Sequence, residues 1–512
     1  MFKNNYKNMA PSNNTKPVSV SVILVIISLF IYVFSVNLLV DSDLWGHLKF
    51  GQDIFMKLAV PRYDFYSYSS YGAQWINHEW LGELILYIIF KFTQGAGLII
   101  FKYFMGLVVT FLIYISAIKN TKSLCLRLLF LALSLPVICS GFAIRPQIFT
   151  YVLFTALVLL IDNFENTHSR WIYSLPVIFL FWQNVHGGFL AGLGILLLYT
   201  LLKISEGKAT KKLIFITIAS IVATFINPYG LNNWYIVLDA VSRKRAYITE
   251  WQQIGFTLEY IQYFALCLVA IVGLLFAKRR RSAYEIFSIL ISFYFSFRYN
   301  RHVVLFAILV ALYLPKYIDS FAGNWLVRVE NKFSKNLLAV VFTCVSLYLF
   351  SATYYKGKNL LALEIPQDTF PIHAFKFIKY NNIKGNIFSS FDWSMMCISE
   401  LSKTSKIFFD GRYEMVYRDN FIQGYFEVLF GKRDYKEFLR KFPETDIMFL
   451  DKNAPLTRAI SKDSEWIKVY SSSLAEIYLK NNQHNKNYIE NFNNGKIVYP
   501  QEDYRIYYLN NL

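Results

Sequence analysis

The stretch "NLLVDSDLWGHLKFGQDIF", residues 37–55, is where a long apolar run gives way to acids and an imidazole. Val18 to Val40 is 23 residues without a charge, and Asp41, Asp43 and His47 follow at once. A spanning helix needs about 20 apolar residues, so this run crosses a bilayer by itself. It is too long for a signal peptide and no small-residue cleavage site follows, so it reads as a retained first span. After it, Leu44, Leu48, Phe55 and Leu58 recur at helical spacing. Residues 43–58 are therefore expected to form an amphipathic helix lying in the membrane interface. Asp43 and His47, four apart, share one of its faces.

Working outward, the chain has 512 residues, 55% of them hydrophobic, and a positive mean hydropathy. That is too apolar for a soluble protein of this length. Ten further apolar segments are candidate spans: Leu98–Ile118, Leu124–Ile144, Ile148–Ile161, Trp171–Asn184, Phe189–Leu202, Leu213–Ile226, Ile261–Ala277, Ile286–Phe297, Val303–Leu314 and Leu337–Tyr354. The segment "EWLGELILYIIFKF" is interrupted and reads as a second interfacial helix before Leu98. About eleven spans result. The net charge of +18 would point to nucleic acid in a soluble protein. Here no nucleic acid is expected, because the basic residues crowd into short loops between spans. Five cysteines show neither metal-ligand spacing nor a disulfide framework.

Lys and Arg favour cytoplasmic loops. With Lys3, Lys7 and Lys16 inside, the alternate loops add Lys119, Lys122, Arg127, Arg170, Lys203, Lys208, Lys211, Lys212, residues 278–281 "KRRR", Lys316, Arg328, Lys332 and Lys335. The other side carries fewer in longer loops: Lys49, Lys57, Arg62, Lys91, Arg145, residues 243–245 "RKR", Arg298 and Arg301. The N-terminus (1–17) is thus expected in the cytoplasm, with the first outer loop (41–97) and everything after residue 354 outside. Residues 355–481 read as a small mixed α/β domain. "KIFFDG" and "DIMFLD" are strand-like, and "WIKVYSSSLAEIYLK" looks like a hairpin. "DTFPIHAFKFIKY" and "RDYKEFLRKF" have helical spacing. The polar tail, 482–512, is expected to be loosely ordered.

With the sides set, the unusual polar residues gather outside: Asp41, Asp43, His47, His78, Glu79, Arg145, His186, Asn227, Glu250, Arg298, Arg301 and His302. Each has a plain structural reading. Asp41 caps helices well, Arg145 can snorkel to water, His186 can be a satisfied loop histidine, and "RKR" can bind lipid headgroups. The Tyr-rich "PRYDFYSYSSYGAQW" suits sugar stacking and an interfacial belt equally. What favours function is the convergence of acids, imidazoles and guanidinium groups on one face.

An acidic motif at the outer end of a first span, followed by juxtamembrane helices, resembles the GT-C superfamily of membrane glycosyltransferases. That superfamily includes the protein O-mannosyltransferases, the lipid A aminoarabinose transferases and the oligosaccharyltransferase catalytic subunits. The ordered series "DSDLWGHLKFGQDI", "PRYDFYSYS", "WINHEWLGEL", "RPQIFTY", "HGGF", "NPYG" and "FFDGRYEMVY" is more closely similar to a bacterial group of GT-C-like multi-pass proteins, over nearly the whole chain. The resemblance implies a GT-C-like α-helical transmembrane domain at 18–354 in the bacterial cytoplasmic (inner) membrane, carrying the extracytoplasmic α/β domain. It implies transfer of a sugar from a polyprenyl-phosphate carrier to a glycan, lipid or protein acceptor on the outer face, and puts the acidic role on Asp41 or Asp43. No sequon-reading motif is found, so N-glycosylation is not implied.

The chemistry of the residues agrees. Transfer from a lipid phosphate needs a base for the acceptor hydroxyl and cations for the departing phosphate. Asp41 is the first choice for the base, then Asp43 and Glu79. Arg145, Arg298 and Arg301 suit the phosphate. His47, His78 and His186 orient carboxylates, and Asp41, Asp43 and His47 are the set that would hold a divalent cation, Mg or Mn, if one is used. On the acceptor side, "KIFFDGRYEMVY" places Asp410 and Arg412 around Gly411, where a positive φ is expected. The pair either pins that turn or helps bind the acceptor. The competing readings are a lipid-linked glycan flippase and a non-catalytic component of an envelope assembly complex. Against the flippase, no internal repeat is visible, and the spans nearly all lack the acidic residues that transporters place near the midplane.

Overall fold

The structure, a computed structural model, describes residues 16–36, 38–243, 245–355, 359–501 and 506–509. Lys3, Lys7 and Lys244 fall outside these residues. The first part is helical: α1 (Lys16–Phe34), α2 (Ser42–Lys57), α3 (Trp80–Asn120), α4 (Leu124–Ser140), α5 (Gln147–Thr167), α6 (Leu175–Val185) and α7 (Phe189–Ser205). It continues with α8 (Lys211–Ala223), α9 (Leu231–Ser242), α10 (Ile261–Phe276), α11 (Ala283–Arg298), α12 (Val303–Ile318), α13 (Asn324–Glu330) and α14 (Lys335–Tyr355). Each of the eleven expected spans coincides with one of these helices.

Among the described residues, five helices are long and apolar enough to cross a membrane: Trp80–Asn120, Gln147–Thr167, Leu258–Phe276, Asn300–Glu330 and Lys335–Tyr355. Others are shorter than their apolar segments. α6 has 11 residues and α8 has 13, and at about 1.5 Å per residue neither reaches across about 30 Å of hydrocarbon. They pack on each other instead. α12 is the axis of the bundle, buried from Val303 to Tyr317 and touching α3, α4, α5, α10 and α11. α14 packs along α1 and is otherwise exposed.

α3 is broken at Gln94, whose φ of 57° departs from helix. The break separates the expected interfacial helix, 80–93, from the span that follows. α2 starts where Asp41 caps it, accepting the Asp43 N–H at 3.0 Å. Its position departs from expectation. α2 is packed between α3 and the C-terminal part of the chain, and Leu44, Trp45, Leu48, Phe50 and Ile54 are buried there. Gly51 permits the approach, since a Cβ there would stand 2.2 Å from the Glu83 carbonyl oxygen.

The C-terminal part contains α15 (Ile372–Tyr380), α16 (Ser394–Leu401), α17 (Asp419–Leu429), α18 (Tyr435–Leu439), α19 (Pro455–Ile460) and α20 (Lys486–Asn493). Its strands are β1 (Glu364–Ile365), β2 (Asn386–Ser389), β3 (Thr445–Asp451), β4 (Trp466–Ser471), β5 (Ala475–Lys480) and β6 (Tyr507–Tyr508). The main sheet has the order β2-β3-β5-β4, with β2 and β3 parallel and the β4–β5 hairpin antiparallel. "KIFFDG" forms no strand of its own. Ile407 bridges both Ile387 and Ser67, tying the segment between α2 and α3 to the sheet edge. The tail departs from the loose order expected of it, because it carries α20 and pairs β6 with β1. The core of this part is continuous with Leu38, Val40, Leu44, Trp45, Phe50, Tyr66 and Trp75. One apolar core therefore joins α2, the segment between α2 and α3, and the sheet.

Candidate functional site

A cavity of about 540 Å³ lies at one end of the bundle, roofed by the C-terminal part. Its walls are the start of α2, residues 75–83, the α4–α5 and α6–α7 loops, the segment before α10 and the turn at 300–302. The roof is Phe391, Asp392, Met395 and residues 411–415. Of the residues expected from sequence, Asp43, His47, His78, Glu79, Arg145, His186, Arg301 and Arg412 all line it. Asp41 stands behind Arg145 and Asp410 behind Arg412. Arg298 is not brought in. It ends α11 exposed, its guanidinium against Tyr299, while the short turn at Asn300–His302 directs Arg301 to the cavity.

Arg145 was expected to face a phosphate, and the structure surrounds it with acids. Its Nε and Nη2 donate to the two Asp41 oxygens, each at 2.6 Å. Nη1 lies 2.9 Å from Asp43 and 2.8 Å from Glu250. Burial opposes the Asp41 charge, but Arg145 outweighs it and holds this carboxyl below its usual range. A carboxylate so engaged is a weak base, and the plain reading of Asp41 as a cap also holds. Asp43 is different. A third of its side chain is open to the cavity, and burial together with neighbouring Asp41 moves it upward despite Arg145.

Glu79 is the hub of a second cluster. His186 Nε2 lies 3.4 Å from Glu79 Oε1, His78 Nε2 3.7 Å from the same oxygen, and His47 Nδ1 4.0 Å from Oε2. Burial, partly offset by His47, pushes the Glu79 carboxyl up to about 7. The tautomer of His186 follows from its partners. Its Nδ1 accepts the Gly188 N–H at 2.9 Å and meets the Thr150 hydroxyl at 2.8 Å, so the ring proton sits on Nε2, facing Glu79. Burial and Arg301 keep this ring neutral. Burial, with Arg245 and Arg301, likewise lowers His78 to about 3. His47 moves the other way. Burial disfavours its charge, yet the Glu83 hydrogen bond at 3.0 Å and the charge of Glu79 win.

Arg301 faces the cavity beside these groups. Its guanidinium lies 4.6 Å from the centre of the Trp251 ring, which Arg245 also covers at 4.0 Å. Arg245 is taken by Glu414. Among the described residues Arg301 makes no ion pair and donates no hydrogen bond. In the roof, Arg412 donates to Asp410 at 2.8 and 2.7 Å, and its Nη1 sits 2.6 Å from Asp64 of the segment between α2 and α3. The pair pins the turn, and the turn also faces the site. Gly411 does not have the expected positive φ; Tyr413 does, at 49°. Gly411 instead lets the turn sit close to the site, a Cβ there standing 2.7 Å from Met395 Cε and 3.3 Å from Asp43 Oδ1.

No protein-family profile matches this chain, and no curated protein matches it. Solved structures do. The Archaeoglobus fulgidus oligosaccharyltransferase in its apo form matches with a TM-score of 0.56 at 12% identity, over 86% of this chain and 70% of that one. The same organism's oligosaccharyltransferase AglB, in complex with an inhibitory peptide and a dolichol-phosphate, matches with 0.56 at 11% identity, over 91% and 74%. ArnT from Cupriavidus metallidurans, bound to undecaprenyl phosphate, matches with 0.53 at 9% identity, over 91% and 99%.

This is the GT-C fold. At such low identity the likeness extends to the fold alone, and the site has to be read from its own residues. On this GT-C scaffold the donors that could hold a metal differ from the expected Asp41, Asp43 and His47. Arg145 occupies the two aspartates, and His47 is grouped with Glu79 and Glu83, their donor atoms lying within 4.8 Å of one another. One imidazole and two carboxylates fit a first-row divalent ion such as Mn better than Mg, which favours all-oxygen shells. Glu83 escaped the sequence reading although it lies one helical turn after Glu79 and shares its face. Asp64, Thr150, Trp251 and Asp392 carried no signal in sequence, since each depends on contacts far along the chain.

Proposed function

We propose that this chain is a membrane glycosyltransferase that moves a sugar from a lipid-phosphate carrier to an acceptor at the membrane surface. The observation that supports the reading best is Glu79 with Arg301 on one cavity: a carboxyl pushed up to about 7 and a guanidinium that makes no ion pair among the described residues. A general base works best with a pKa near the working pH. The acceptor hydroxyl gives its proton to Glu79 as its oxygen bonds to the anomeric carbon. The bond from that carbon to the phosphate oxygen breaks, the electron pair leaves with the phosphate, and Arg301 meets the added charge.

His186 Nε2–H orients Glu79, and Asp41 with Glu250 holds Arg145 rigid beneath Asp43. His47, Glu79 and Glu83 would hold a divalent cation, which supplies charge neutralisation for the phosphate when bound. With Glu79 so engaged, the base is Asp43. The acceptor enters under the roof, against Gly411 and Arg412. Two GT-C neighbours, solved with dolichol-phosphate and undecaprenyl phosphate, support an isoprenoid phosphate as the carrier. In this reading the site faces outward from a bacterial cytoplasmic membrane with the N-terminus inside, an orientation supported by the basic residues of the alternate loops.

The test is reconstitution in proteoliposomes with a polyprenyl-phosphate sugar and a hydroxyl acceptor. Carrier turnover that disappears in Glu79→Gln is the expected result. Movement of labelled carrier across the bilayer without turnover supports a flippase instead and rejects the transferase.

A further inference from the structure

We infer that the cavity takes a carrier with a single phosphate and discriminates against the corresponding diphosphate. The inference rests on the lipid-carrier reading above and concerns its charge. Four arginines line the cavity, and three are already compensated. Arg145 is held by Asp41, Asp43 and Glu250, Arg245 by Glu414, and Arg412 by Asp410 and Asp64. Arg301 alone remains among the described residues. The imidazoles are already engaged, His47 with Glu83 at 3.0 Å and His186 between the Gly188 N–H and Glu79.

Asp392, in the roof, lines the same space with no ion pair among the described residues. The surroundings are therefore poor in free positive charge and rich in carboxylate. A glycosyl phosphodiester carries one negative charge, which one guanidinium balances bidentately. A diphosphate carries two, and gains another as it leaves. Its extra charge would be buried against carboxylates without a partner, which is costly. A divalent cation on His47, Glu79 and Glu83 would offset part of the added charge, so the preference is read in its absence as well as in its presence.

The experiment uses the full chain in detergent and native mass spectrometry, with an undecaprenyl-monophosphate-linked sugar, the corresponding undecaprenyl-diphosphate-linked sugar and inorganic phosphate as probes, with and without Mn²⁺. The expected result is monophosphate binding tighter than diphosphate by about tenfold, equivalent to about 1.4 kcal/mol. Arg301→Gln removes that preference without lowering the thermal midpoint, and Arg301→Lys keeps part of it. Diphosphate bound equally or more tightly overturns the inference and leaves the transferase reading standing. Displacement by inorganic phosphate at equal concentration assigns the subsite to free phosphate and overturns the inference. Unchanged monophosphate affinity in Arg301→Gln overturns it as well. If the wild-type chain binds neither carrier, both readings fall.

Discussion

Arg145 and Arg301 are the same residue type with opposite surroundings, and the difference decides what each can do. Arg145 meets three carboxylates, two of its donors sharing Asp41 at 2.6 Å. Asp41→Asn keeps the helix cap and removes the charge that anchors the guanidinium. Breaking a buried pair on one side costs about 3–5 kcal/mol, so thermal unfolding in detergent should show a marked drop for Asp41→Asn. Asp43→Asn, a third open to the cavity, should lose much less. Equal losses would mean that the two aspartates share the load. Glu79 carries a pH prediction. Its folded carboxyl is raised to about 7 from a usual 4.5, so it stabilises the fold fully below about pH 4.5 and loses that contribution as pH rises through 7. Deprotonation makes it a base, so kcat should climb through pH 7 while the melting temperature falls over the same window. Glu79→Gln should flatten that part of the melting profile and abolish turnover. A melting temperature that still falls across pH 5–7 in Glu79→Gln would assign the titration to another group.

Elements meet at the loop between α2 and α3, which is held by polar pins as well as packing. Asp64 accepts the Tyr66 N–H at 2.9 Å and contacts Arg412, while the Tyr68 N–H and the Ile407 N–H cross-bond the loop to the roof at 3.1 and 3.0 Å. The Arg412 guanidinium lies 4.7 Å from the centre of the buried Trp75 ring and 5.2 Å from that of Tyr66. Asp64→Asn or Arg412→Ala should therefore loosen the loop and the turn together. Hydrogen exchange in 63–75 and 407–417 should rise in parallel, with about 3–5 kcal/mol of stability lost. Protection lost in the turn alone would show that Asp410 and Tyr417 hold Arg412 without the loop. Gly51 belongs to the same scale. Gly51→Ala must push the Glu83 backbone away, which moves His47 and Glu79 with it.

At the scale of the molecule, the C-terminal part shares one apolar core with α2, the α2–α3 segment and the neighbouring residues of α3, while the helical bundle has a core of its own. A fragment beginning at residue 359 would expose the faces that cover Trp45, Leu48 and Phe50, so it should aggregate when expressed alone, whereas the full chain stays monodisperse in detergent. A folded, soluble fragment would show the interface to be dispensable. Topology is checked by cysteine labelling. Lys208→Cys and Arg280→Cys should react only from the side where the N-terminus lies, and Lys452→Cys only from the other. Labelling of Arg280→Cys and Lys452→Cys from one side would put an even number of crossings between them and dismantle the outer-face assignment of the site.

Composition, hydropathy and loop charge determined the helical segments, the helix after Val40 and the hairpin at 466–480, because each depends on residues near in sequence. Periodicity is a local property, and so is a cap such as Asp41. The convergence of acids, histidines and arginines at one end was also legible, since alternating loops share a side. What sequence could not show is which charges are spent. Arg145 and Arg301 differ only in the carboxylates that distant segments bring to them. The acidity of Glu79 comes from burial against residues 47, 83 and 186. The cover over α2, the bridge from Ser67 to Ile407 and the roof over the cavity join positions more than three hundred residues apart, and only tertiary packing could decide them.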